Sequence, residues 1–211
     1  MRCVIGYASL ISETSIKRLF PNAGRIVRVT LENHARCFNS FGTLSLKAGL
    51  ADSGSDYLAH ASAIYRPNSI LHALAFELDD TDYDTYVRHE FRYDFKPVSV
   101  QALEGGQHFD AIICYENVDQ NIDVSRIGSA SIWDLYDLYD TPSFWHTSHL
   151  PAKIYLEHCV ASARDLGADM LDNFLDASYL HDRMTSIRSY LEDSDSGLDS
   201  YVNNAQYSAV F

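Results

Sequence analysis

Few side chains in this sequence have the type and spacing for chemistry, and each has a plain alternative reading. His146-x-x-His149 with His158 downstream is a spacing at which imidazoles converge on one ion. No acidic or thiolate ligand falls in register with them, and Pro142 and Pro151 interrupt the segment, so no metal is expected. Cys3, Cys37, Cys114 and Cys159 are scattered, with no CxxC pair and no basic neighbour pattern that would lower a thiol pKa. They read as buried thiols of a reducing compartment rather than as nucleophiles or zinc ligands. Glu90 ends a short helical stretch, where a carboxylate can pass a proton but ordinarily sits solvated. Tyr7 and Tyr93 read on their own as core aromatics with a hydrogen-bonded hydroxyl.

The elements that carry these residues follow from hydrophobic period. Residues 2–7 form a continuous β-prone run that stops in the small-residue turn Ala8-Ser9, ahead of helical spacing at Leu10, Ile11, Ile16 and Leu19-Phe20. Strands are expected over 24–31 and 35–41, then a mobile surface loop over 45–57 holding Gly49 and Gly54. Two further strands, 61–65 and 71–78, flank the turn Arg66-Pro67-Asn68-Ser69. Asp79-Asp80-Thr81 offers capping oxygens to a helix through Tyr83, Tyr86 and Val87, and that helix delivers Glu90. A hairpin over 97–103 and 109–115 follows. Beyond it the period turns helical at Ile154, Leu156 and Val160 and again at Met170, Leu171 and Phe174, with Gly167 as the break; a last helix is expected over 180–191.

Composition closes off other classes. The 211 residues carry 16 Lys+Arg against 29 Asp+Glu, a formal net charge of −13, which argues against a partner held by phosphate contacts. With 46% hydrophobic and 21% charged residues the chain is ordinary globular material. No apolar run approaches a membrane span and no leader is recognisable, so no membrane partner and a cytoplasmic location are expected. We expect one domain over 1–191 and an acidic linker with a loosely held tail over 192–211.

Four stretches resemble successive elements of the gamma-glutamylcyclotransferase-like superfamily. They are Ile5-Gly6-Tyr7-Ala8-Ser9-Leu10 closing the first strand, Arg36-Cys37-Phe38-Asn39, Leu71-His72-Ala73-Leu74-Ala75-Phe76-Glu77-Leu78, and Tyr86-Val87-Arg88-His89-Glu90-Phe91-Arg92-Tyr93. Together they span 2–116, and Pro142-Ser143 before a helix resembles the C-terminal part of the glutathione-degrading branch. Ala8 stands where the family's opening motif has its second glycine, so its methyl either restricts φ or narrows the space beside the backbone amides.

The resemblance implies an α+β fold: a small mixed or antiparallel barrel-like sheet, flanking helices and a helical C-terminal portion. It implies a cyclotransferase of the carbon–nitrogen lyase type, which closes the γ-glutamyl group of a small substrate, glutathione among them, to 5-oxoproline and releases the amine. No cofactor is called for. Glu90 would be the general base and then acid, and Tyr7, Ala8, Ser9, Leu10 and Tyr93 would bind substrate. Two alternatives stand beside this: a divergent relative acting on another γ-glutamyl amide or amine in biosynthesis, and a non-catalytic binding protein on the same fold. The oligomeric state is left open.

Overall fold

A computed structural model describes residues 1–193. Its sheet is built from β1 (Arg2–Gly6), β2 (Ile26–Phe41), β3 (Tyr57–Leu78), β4 (Asp94–Ala102) and β5 (His108–Tyr115), with the short strands β6 (Leu150–Pro151) and β7 (Ser178–Leu180) at its margins. The neighbour order β3-β1-β5-β4-β2 closes on itself because β2 also pairs with β3, which makes a five-stranded barrel. It is mixed: β1 runs parallel to β5 and antiparallel to β3, while β4 is antiparallel to both β5 and β2. The fold is thus α+β with a small mixed barrel, as the sequence led us to expect.

The helices are α1 (Glu13–Leu19), α2 (Thr43–Lys47), α3 (Asp80–His89), α4 (Ile132–Tyr139), α5 (Lys153–Asp165), α6 (Ala168–Asp176) and α7 (Ile187–Glu192). Gly167 takes φ +124° between α5 and α6, a backbone state that an L side chain would resist, and so divides one apolar stretch into two helices. The core joins the barrel to the helices through aromatic contacts. Phe20 after α1 and Phe76 on β3 lie 6.0 Å apart, and both meet Tyr86 of α3. Each such ring is fully buried and contributes about 1.5–3 kcal/mol by leaving water. Among the described residues no helix is long and apolar enough to cross a membrane.

Several expectations are corrected. Strands 24–31 and 35–41 are one strand, β2, and 61–65 and 71–78 are one strand, β3. The two pair along almost their whole length, with a register shift between Glu32 and His34. Asn33 (φ +58°) and Asn68 (φ +62°) absorb that shift, and the Asn33 side chain accepts the Asn68 N–H at 3.0 Å. The residues read as a turn are therefore a bend in a continuous ribbon, because the ladder resumes on both sides and outweighs local turn chemistry. The surface loop expected over 45–57 opens with α2, and Ser45 is buried with its Oγ 2.8 Å from Nε2 of His60.

Only the end of the helix expected over 180–191 forms. Ser178–Leu180 instead pairs parallel with β2 as β7, and Asp182 takes the Met184 and Thr185 N–H groups in the following turn. No helix directly follows Pro142-Ser143. The Thr141 and Ser143 hydroxyls fold 141–145 on itself, and the next helix begins at Lys153. The helix α4, not anticipated, is held by a reciprocal capping box between Ser131 and Asp134. Of the linker and tail expected over 192–211, residues 194–211 lie outside the described residues.

Candidate active site

The site begins where β1 ends. Strand β1 is a buried apolar run inserted between β3 and β5, and at Gly6 the chain turns back on itself through the 3-10 turn Ser9–Ile11. A Cβ on Gly6 would lie 2.1 Å from the Leu10 carbonyl oxygen, so only glycine lets the loop fold this closely onto the strand. No side chain caps the turn, which leaves its first main-chain N–H groups without that competitor. Ala8 takes φ −132°, on the negative side open to any L residue, and its buried methyl needs no left-handed backbone.

Arg36, fully buried on β2, fixes this loop from below. Its Nε donates to the Tyr7 carbonyl, one terminal nitrogen donates to the His72 carbonyl, and the other reaches Asn173 Oδ1 at 3.3 Å. The Tyr7 hydroxyl is tied as tightly: it donates to the Cys114 carbonyl at 2.6 Å and accepts the Ala63 N–H at 3.0 Å. Tyr7 therefore spans the barrel from β1 to β5 and β3, and offers the site its ring rather than a spare hydroxyl. Tyr93 likewise donates to the Ala61 carbonyl at 2.9 Å.

Glu90 comes to the same cavity from the end of α3. Asp79 caps α3 by accepting the Asp82 N–H at 2.8 Å, and at the other end of the helix Glu90 stands at the C-cap with its N–H on the Tyr86 carbonyl. Its carboxylate is 15% exposed and lies 3.9 Å from Nε2 of His89. Its charge is felt by a ring of neighbours. Burial, with Glu90 among the further causes, pushes Tyr7, Tyr86, Tyr155 and the Cys114 thiol well above their ordinary pKa values and holds them protonated.

The structure brings Glu90, Tyr7, Ala8, Ser9, Leu10 and Tyr93 together around one cavity of about 30 Å³. Among the residues lining it Glu90 is the sole carboxylate. Three further lining residues escaped the sequence reading. His60 stacks on Tyr155 with ring centroids 3.9 Å apart, and burial lowers its pKa well below the usual value, so it is neutral. Arg92, 3% exposed, brings a guanidinium to the same wall. Its one sequence signal is a charge set between Phe91 and Tyr93.

A cavity of this size holds about one water. It shares Ser9 and Leu44 as walls with a neighbouring cavity of about 290 Å³ under α1, α2 and His89. Of the histidines at 146, 149 and 158, His158 directs Nε2 to the Ser9 carbonyl at 3.2 Å, and among the described residues no three His, Cys, Asp or Glu side chains gather as a metal-holding group. Burial raises the thiols of Cys3 to about 11 and Cys37 to about 12, and those of Cys114 and Cys159 also rise.

No protein-family model matches the chain, and no curated protein matches it in sequence. Solved structures do match in shape. A gamma-glutamyl cyclotransferase superposes with a TM-score of 0.54 at 11% identity, covering 82% of this chain and 83% of its own. An uncharacterized Homo sapiens protein superposes with a TM-score of 0.52 at 13% identity over the same shares. The chain has the gamma-glutamylcyclotransferase-like fold.

Proposed function

We propose that the protein is a cyclotransferase acting on a small γ-glutamyl compound, with Glu90 as its base and acid. The observation that carries this reading is the position of Glu90. It is the lone carboxylate of a cavity walled by the strand-one loop, and the Tyr7 hydroxyl and Cys114 thiol on the same wall stay protonated and do not compete for the proton.

The reaction needs little else. The α-ammonium of the γ-glutamyl group gives a proton to Glu90, and the freed amine attacks its own side-chain carbonyl carbon. The carbonyl oxygen becomes an oxyanion, for which the uncapped N–H groups of the Tyr7–Leu10 loop are the donors. As the old carbon–nitrogen bond breaks, Glu90 returns its proton to the leaving nitrogen; the extra proton on the ring nitrogen then passes through the Glu90 carboxylate to the released amine, which departs as an ammonium and leaves 5-oxoproline. Holding amine and carbonyl in contact supplies much of the acceleration.

The 30 Å³ cavity favours the rival reading, a fold kept without turnover, because a γ-glutamyl group needs the wall at Leu44 to yield. One experiment separates the two. Pure protein is incubated with a panel of γ-glutamyl peptides, amino acids and amines, glutathione included, and 5-oxoproline is followed by mass spectrometry. Turnover of at least one substrate supports the cyclotransferase; a blank across the panel supports the binding protein.

A further inference from the structure

Arg92 is buried on the cavity wall and has no carboxylate partner among the described residues. One of its terminal nitrogens donates to the Phe41 carbonyl, and its guanidinium carbon lies 5.9 Å and 5.6 Å from the Phe91 and Tyr93 ring centres. Its Nε has no partner, and among the described residues no carboxylate lies within ion-pair distance of it. Arg36 is equally buried without a carboxylate, but its nitrogens are spent on three oxygens and it lines no part of the cavity. A purely structural Arg92 would leave its buried charge without a carboxylate and its Nε without an acceptor, which is costly. It would also leave unexplained why that charge stands on the cavity wall.

The two charged side chains of that wall are Glu90 and Arg92, two residues apart on one turn and not paired with each other. Such a wall complements a ligand that is cationic at one end and anionic at the other. An α-amino acid head group has that form. We infer that Arg92 is the specificity-determining residue of the site and takes the α-carboxylate of the γ-glutamyl group while Glu90 faces its ammonium. The inference rests on the cyclotransferase reading and deepens it, for it frees the Tyr7–Leu10 loop to serve the oxyanion alone. A guanidinium suits the role because its planar fork matches a carboxylate.

The test uses the intact protein and two small molecules, 5-oxoproline and its amide, which differ only in the carboxylate. Titration calorimetry should show 5-oxoproline binding at least about tenfold tighter than the amide, the loss expected for one hydrogen-bonded charge. Arg92→Gln should erase the difference and Arg92→Lys should keep part of it. In turnover, amidating the α-carboxylate of a γ-glutamyl peptide should lower kcat/KM by about a hundredfold, whereas amidating its C-terminal carboxylate should not do so through Arg92. Equal binding of the two molecules, no binding of either at millimolar concentration, or a preference that survives Arg92→Gln overturns the inference. So does an Arg92-dependent loss confined to the C-terminal amide.

If Arg92→Gln does not fold, the comparison on the native protein and Arg92→Lys still decide. Failure of the two ideas can be told apart. Carboxylate-selective, Arg92-dependent binding with no 5-oxoproline formed from any substrate would sink the cyclotransferase reading and leave the anion site, while turnover indifferent to the α-carboxylate would do the reverse.

Discussion

The Nε of Arg36 donates its hydrogen to the main-chain carbonyl of Tyr7, so the loop closing the first strand is pinned by a cation buried in the second. The same guanidinium holds the His72 carbonyl and Asn173 of α6, and Asn173 in turn accepts the His72 N–H and donates to the Ile70 carbonyl. Loop, ribbon and C-terminal helices are thereby one mechanical unit, and the position of the cavity wall depends on a residue that does not line it. Burial works against the charge of Arg36, and the three acceptors offset that cost.

Arg36→Met keeps most of the volume and removes every donor. It should destabilise the protein by about 3 kcal/mol or more, since the orphaned acceptors of a buried site keep their desolvation cost. Urea unfolding measures this. A loss below about 1 kcal/mol would show that the three acceptors find water and that the pin is not structural.

Glu90→Gln should lower kcat by at least about a hundredfold, because the amide matches the carboxylate in shape and cannot accept the ammonium proton. Binding of 5-oxoproline should persist and the melting temperature should hold, as the cap at this position is made by the backbone N–H rather than the side chain. Turnover at the native rate would remove Glu90 from the mechanism.

Stability should fall as pH drops below about 6.5. Burial lowers the pKa of His60, His72, His149 and His158 in the fold, while the unfolded chain keeps values near 6.5. Below that value the unfolded state binds protons that the folded state refuses, so the equilibrium moves toward unfolding. Urea midpoints at pH 7 and pH 5 give the slope. His60→Phe, which keeps a ring against Tyr155, should flatten it even though losing the Ser45 contact lowers stability at pH 7.

How far the sequence reached can be read from these residues. The apolar run of β1 and the capped, periodic α3 are local patterns that place the strand-one loop and Glu90 on their elements, while the roles proposed for them come from the motif resemblance. Arg36 and Arg92 were not legible as site residues. A charged side chain inside an apolar run declares its burial only when the barrel closes around it, and its acceptors are main-chain carbonyls that have no sequence signature. The continuity of β2 and β3 is hidden for a similar reason: Arg66-Pro67-Asn68-Ser69 has local turn chemistry, and only cross-strand pairing shows that it is a bend opposite Asn33. The neighbouring cavity gathers Arg18, Lys47 and His89 from three helices, a meeting no linear pattern records.

Ala8 supplies the last prediction, because its methyl sits at the mouth of the loop and its backbone does not require glycine. If the protein is a cyclotransferase, Ala8→Gly widens the cavity by one methyl group and leaves the Glu90 geometry alone, so kcat should stay within a few fold while KM values shift among substrates. If the methyl instead bars the substrate, the native chain is a binder and Ala8→Gly should gain 5-oxoproline formation that the native chain lacks. Running both proteins through the same substrate panel distinguishes these outcomes. No turnover by either, together with no thermal shift on adding γ-glutamyl compounds or 5-oxoproline, would leave the fold without the function proposed for it.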